Sequence, residues 1–196
     1  MEFVSLGSSC SIAYNLNEYK LRKEAYPFDW TRTNNLNNVS IAIDTLFDDF
    51  LNLDKFKFKC FSKNFEVNGK LGSYIYYNDC CSFFHDFNGL ISEIDTKEFE
   101  DKYKRRINRF INLLKSDKEI TFIREEFRKL NKNKIVRFIK SIKNLNKNIN
   151  FSLIIITNDL NYQSMEIDNV TFYYSNIAIT NWKRPELKNL YLNLKY

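Results

Sequence analysis

Residues Phe151–Ile156 read Phe-Ser-Leu-Ile-Ile-Ile, a strand that is apolar at nearly every position. A strand with one wet face alternates apolar and polar residues, whereas a strand covered on both faces by helices does not. This segment therefore points to a layered α/β arrangement around a largely parallel sheet. Its neighbours agree: Glu2–Leu6, Ile120–Ile123 and Val170–Tyr174 are further strand-like runs separated by amphipathic helical patterns. Ile12, Ala13, Leu16 and Tyr19 fall at helical spacing, and Phe99, Tyr103, Ile107, Phe110, Ile111 and Leu114 form the stripe of a long helix over Lys97–Lys115 preceded by Asp95. A helix is expected near Asn38–Leu53, with Val39, Ile43, Leu46, Phe47 and Phe50 buried, and another over Lys134–Leu145. Pro27 bars Tyr26 from helical geometry, so Tyr26–Thr33 is expected to be irregular, while Pro185 suits the first turn of a final helix.

Between Lys55 and Tyr77 the pattern changes to period two at Phe56, Phe58 and Cys60, and Asn68-Gly69 suits a tight hairpin turn. The expected architecture is a three-layer, open, mostly parallel α/β sheet of Rossmann-like type. It carries a β-hairpin insertion near residues 55–77, within one domain spanning 1–196.

The residue counts narrow the chemistry. Hydrophobic residues make up 44% and charged residues 28%, a balance that excludes a disordered chain. With one histidine, any imidazole chemistry must use His85. The four cysteines, Cys10, Cys60, Cys80 and Cys81, include no Cys-x-x-Cys pair, and a site drawn from Cys60, Cys80, Cys81 and His85 matches no common zinc spacing, so no metal or other cofactor is expected. No apolar run is long enough to cross a bilayer, and the first residues lack a secretory pattern, so a cytoplasmic setting with reduced thiols is expected. The net charge of +6 is concentrated on helices that also carry acids, as in Glu100–Lys104 and Asp101–Arg105 spacings. A solvated helix face explains most of it. The alternative is a non-catalytic module that binds phosphate or nucleic acid through its arginines.

In an open α/β sheet, ligands gather beyond the carboxyl ends of the strands, and Gly7-Ser8-Ser9-Cys10 holds that place on the first strand. The helix that follows aims its unsatisfied N–H groups at the turn, so a thiol there is expected to ionise more readily than one in water. Cys10 is the candidate nucleophile, and Gly7, Ser8, Ser9 and Ser11 would line the substrate. In the alternative reading the serines cap the helix and Cys10 packs as a small hydrophobe. The available base is His85, in Ser82-Phe83-Phe84-His85-Asp86-Phe87. Asp86 would point away from it in an extended segment, leaving Asp29, Asn158 and Asp159 as candidates to orient the ring. Arg106 and Arg124 offer planar guanidinium groups that could clamp an anionic substrate group, and Trp182, Lys183 and Arg184 could form a rim.

One ordered set of motifs resembles a known family. It comprises Ser5-Leu6-Gly7-Ser8-Ser9-Cys10 with Ala13 and Leu16, Leu21-Arg22-Lys23, Pro27-Phe28-Asp29-Trp30 and His85-Asp86-Phe87. Lys102-Tyr103-Lys104-Arg105-Arg106 with Arg109, and Phe122-Ile123-Arg124, complete it. Together they resemble a family described as papain-like cysteine peptidases, over roughly Val4 to Arg124. The resemblance implies Cys10 as nucleophile, His85 as its partner, support from Asp29, Arg22 and Trp30, and a peptide or other acyl substrate. The chain departs from papain itself in lacking Cys-Gly-Ser-Cys-Trp and in its βαβ pattern. The first strand, turn and helix also look like an SGNH-type serine esterase, with Ser8 or Ser9 as nucleophile. Such enzymes carry a late histidine, and none follows His85.

Overall fold

The structure, a computed structural model, describes residues 1–175 and 181–194. Four strands, β1 (Glu2–Ser5), β6 (Ile120–Glu125), β7 (Phe151–Thr157) and β8 (Val170–Tyr174), form a parallel sheet in the order β1-β6-β7-β8. The nearly all-apolar strand β7 is explained by its position. Leu153 and Ile155 face one hydrophobic cluster, while Ile154 and Ile156 face another on the opposite side. The first cluster is closed by α2 (Leu36–Asp44), α3 (Lys97–Leu114) and α4 (Lys132–Leu145). Helices α1 (Ser11–Glu18) and α5 (Lys188–Asn193) cover the other face through Ile12, Leu16, Leu190 and Tyr191. This is the expected open, three-layer α/β arrangement.

The hairpin is present as β3 (Lys57–Val67) and β4 (Lys70–Tyr77), turning at Asn68 and Gly69, both at positive φ. It belongs to a larger unit than the pattern suggests. Two short strands, β2 (Thr31–Arg32) and β5 (Ser82–Phe83), complete an antiparallel sheet in the order β2-β5-β4-β3. Strands of two residues leave no periodicity to read, so β2 falls inside the segment expected to be irregular.

The second helix is shorter than expected. It stops at Asp44, where the Phe47 N–H donates to the Ala42 carbonyl at 2.7 Å and the chain turns through left-handed Leu46 and Phe47, with φ of 49° and 66°. Leu46 is consequently turned outward at 54% exposure, whereas Phe47 and Phe50 remain buried. Pro185 opens a single 3-10 turn, Pro185–Leu187, ahead of α5. Asp95 caps the start of the long helix by accepting from the Lys97 N–H at 2.8 Å.

Aromatic side chains join the two sheets. Phe110 on α3 packs its ring near Tyr26, Phe28, Phe47 and Phe122, with centroid separations of 6.2, 5.9, 5.8 and 6.5 Å. Its ring is fully buried. Replacing Phe110 by Ala is expected to cost about 3–5 kcal/mol, because these rings cannot all close on the cavity left behind. Urea denaturation monitored by circular dichroism measures the loss.

Candidate active site

The turn after β1 is shaped by close approach. Gly7 has φ of +75°, and a Cβ there would stand 3.0 Å from Thr33 Oγ1. Ser8 is also left-handed, with φ of 78°, and its N–H donates to Thr33 Oγ1 at 3.2 Å. A serine in this region is strained by about 1 kcal/mol or more, so Thr33 stabilises a turn that the chain alone would not favour. The result places Cys10 at the start of α1.

His85 arrives from the other sheet, two residues beyond β5. Its Nε2 lies 3.7 Å from Cys10 Sγ, and its Nδ1 lies 3.3 Å from the main-chain carbonyl oxygen of Glu66. A carbonyl can only accept, so Nδ1 carries the proton and Nε2 presents a lone pair to the thiol. The ring is held edge-on by Phe65 and Trp30, at centroid separations of 5.3 and 6.1 Å. The group that orients the histidine is therefore a backbone carbonyl on the hairpin, and no residue type marks it in the sequence.

The other candidates take varied places. Asp86 binds Lys102 Nζ at 2.6 Å and the Tyr103 hydroxyl at 3.2 Å, which anchors the histidine segment to α3. Asp29 is buried, accepting from Arg22 Nη1 at 3.1 Å and from the Tyr26 N–H at 3.0 Å. Arg22 in turn lies 5.8 Å from the Trp30 ring, so Arg22, Asp29 and Trp30 form one support beside the histidine. Asn158 and Asp159 follow β7 at the same edge of the parallel sheet as Cys10, but two strands away from β1. Both Asp159 oxygens are occupied, by the Asn161 and Leu130 N–H groups at 3.0 and 2.8 Å, which leaves this side chain tied to its own loop.

Arg124 is fully buried and serves as a strut. It donates to Glu126 at 2.9 Å, to the Leu6 carbonyl at 2.9 Å and to Thr33 Oγ1 at 2.6 Å. Ser9 and Ser11 donate to Glu125 at 2.6 Å each, and Arg184 Nε approaches the same carboxylate at 3.3 Å. The serines thus bind an acidic side chain; Cys10, the first residue of the cap, has no side-chain capping bond. Arg184 is buried on Glu125, while Trp182 remains half exposed against Tyr14 at 5.0 Å. Arg106 lies over the Tyr103 ring at 5.2 Å. Lys104 pairs with Glu100 as the i,i+4 spacing suggests, and Lys102 pairs with Asp86, so part of the basic helix face is neutralised internally.

The thiol departs from expectation in one respect. Burial pushes Cys10 up to about 11, against the lowering effect of the Arg32 charge, and the charges of Asp86 and Asp29 add to the rise. Cys10 is only 7% exposed, and removing a thiolate from water costs more than the Arg32 charge returns. At neutral pH the resting thiol therefore keeps its proton, with His85 Nε2 3.7 Å away. Arg32, absent from the sequence candidates, is brought to the site by β2, two residues after Trp30. Among the described residues no three His, Cys, Asp or Glu side chains gather as a metal group. No described helix is long and apolar enough to cross a membrane.

The model of the family described as "Putative papain-like cysteine peptidase" matches residues 1–161. The chain belongs to this family. It is also 32% identical to "Uncharacterized protein R408" of Acanthamoeba polyphaga mimivirus, over 97% of each chain. No solved structure matches it. The part that matches the papain-like cysteine peptidase family contains Cys10, His85, Glu66 and Arg32, whereas Arg184, which backs Glu125, comes from beyond the matched span.

Asp29 supplies a test of the buried support. Burial raises its carboxyl from 3.8 to about 6, despite the Tyr26 N–H and the Arg22 charge. The folded chain holds this proton more tightly than the unfolded one, so Asp29 favours the fold at low pH and loses that contribution as pH rises through about 6. Relative to Asp29→Asn, the native protein is expected to gain about 2 kcal/mol between about pH 6 and pH 4, the larger part of the about 3 kcal/mol that a shift of about two pK units carries over the whole titration at 1.36 kcal/mol each. Urea unfolding of both proteins across that range measures it.

Proposed function

We propose that the protein is a cysteine-dependent acyl hydrolase acting on peptide or isopeptide bonds, with Cys10 as nucleophile and His85 as general base. The observation that carries this reading is the 3.7 Å approach of His85 Nε2 to Cys10 Sγ, with the opposite ring nitrogen committed to the Glu66 carbonyl. As Sγ attacks the carbonyl carbon, Nε2 takes the thiol proton. The oxyanion that forms faces the start of α1, whose first-turn N–H groups have no intrahelical partners. Collapse breaks the carbon–nitrogen bond, and the leaving amine receives the proton from Nε2. A thioester remains on Cys10, which water, deprotonated by the same nitrogen, hydrolyses to the acid and the free thiol. Asp29, Arg22 and Trp30 act behind the ring as support.

Because the resting thiol is neutral, proton removal during attack matters more than a standing thiolate. Alkylation of Cys10 by iodoacetamide, read by mass spectrometry, is expected to vanish in Cys10→Ala. In His85→Ala it should fall by about 10²–10⁴ at neutral pH, the usual range for a lost general base. The variant and native rates should converge as pH approaches about 11, where the thiol ionises unaided. Equal rates at neutral pH would overturn the assignment of His85.

A further inference from the structure

The arginines around the dyad are mostly committed to acids: Arg22 to Asp29, Arg124 to Glu126, and Arg184 to Glu125 and Glu186. Arg32 is different. It is exposed, and among the described residues no carboxylate lies within ion-pair distance of it. Its guanidinium carbon stands 4.2 Å from the Phe84 ring centroid and 5.6 Å from that of Phe65. Phe65 also packs against His85, so the same aromatic wall holds the base and the arginine. A guanidinium held over an aromatic ring keeps its planar fork of N–H donors, the shape that fits a carboxylate. Lys59 adds a second cation over Phe84 at 5.9 Å. The two acids that act on the thiol have partners of their own, Asp86 in Lys102 and Tyr103, and Asp29 in Arg22 and Tyr26. The charge of Arg32 nevertheless reaches the thiol, which it draws downward in pKa.

We infer that Arg32 is a specificity-determining residue that binds a carboxylate adjacent to the scissile acyl group, making acidic substrates the preferred class. The inference rests on the assignment of Cys10 and His85 to acyl transfer. Two carboxylates could be read this way: the terminal carboxylate of a chain or the side chain of an acidic residue.

Two alkylating reagents of nearly the same shape isolate the effect. Iodoacetate carries a carboxylate and iodoacetamide does not, and both transfer their carbon to Sγ with loss of iodide. On the native protein, Cys10 is expected to react with iodoacetate at least as fast as with iodoacetamide. In Arg32→Gln the ratio of the two rates should fall about tenfold, the scale of one lost charge-assisted hydrogen bond. Arg32→Lys should keep part of the ratio, since it retains charge but loses the fork. A change in thiol ionisation alters both rates equally and leaves the ratio untouched. Should Arg32→Gln fail to fold, Lys59→Gln is expected to lower the ratio by a smaller factor. An unchanged ratio in the folded Arg32→Gln protein would overturn the inference. Loss of labelling by both reagents in the native protein would instead overturn the role of Cys10. Protection of Cys10 from iodoacetamide by N-acetylglycylglycine against N-acetylaspartyl amide separates the two carboxylate sources. Equal protection by their uncharged counterparts would also count against a carboxylate site.

Discussion

Arg124 joins the two sheets. From the carboxyl end of β6 its guanidinium reaches the Leu6 carbonyl at the end of β1 and the Thr33 hydroxyl just past β2. The thiol belongs to the parallel sheet and the histidine to the antiparallel one, so their approach depends on how these sheets are locked together. A buried arginine is tolerated there because Glu126 pairs with it, the Leu6 carbonyl and Thr33 hydroxyl accept from Nη1, and the Thr33 carbonyl accepts from Nη2. Removing one partner from such a pair costs several kcal/mol, chiefly because the other charge is left buried and alone. The next residue, Glu125, performs the matching task for the thiol turn by gathering Ser9, Ser11 and Arg184. Three consecutive polar residues on a buried strand end thus set the geometry of the site from beneath.

Burial also sets the chemistry. A thiol enclosed this far is kept neutral, so reactivity has to come from a well-placed acceptor nitrogen rather than from a standing charge. That requirement explains the enclosure of His85. Phe65 and Trp30 restrict the ring, the Glu66 carbonyl fixes its tautomer, and Asp86 pins the adjoining backbone to α3. The hairpin is therefore part of the site: its β3 strand supplies both the orienting Glu66 carbonyl and Phe65, which with Phe84 from beyond β5 forms the aromatic wall beside Arg32.

Much of the layered architecture is legible along the chain. The nearly continuous apolar run of β7, the stripe of α3 and the Asn68-Gly69 turn each arise from local periodicity or turn chemistry, and each stands in the structure close to its expected bounds. The candidates Cys10 and His85 are legible for a related reason, since one occupies a strand-to-helix turn and the other is the single imidazole. Other parts leave little local trace. β2 and β5 are two residues long and exist through pairing with each other and with β4. The left-handed exit of α2 runs through Leu46 and Phe47 without the glycine that usually marks such an end. The orienting group for His85 is a peptide carbonyl, which every residue carries.

The sequence by itself determined the strands that must be covered on both faces, the helices that cover them and the thiol and imidazole available for chemistry, because periodicity and residue type are local properties. Only the tertiary structure decided that this thiol meets this imidazole, that the thiol is held neutral, and that Arg32 stands beside them with no carboxylate partner among the described residues. Those three outcomes depend on distance and enclosure between segments far apart in the chain, and they are set by the packing of the two sheets around Thr33 and Arg124.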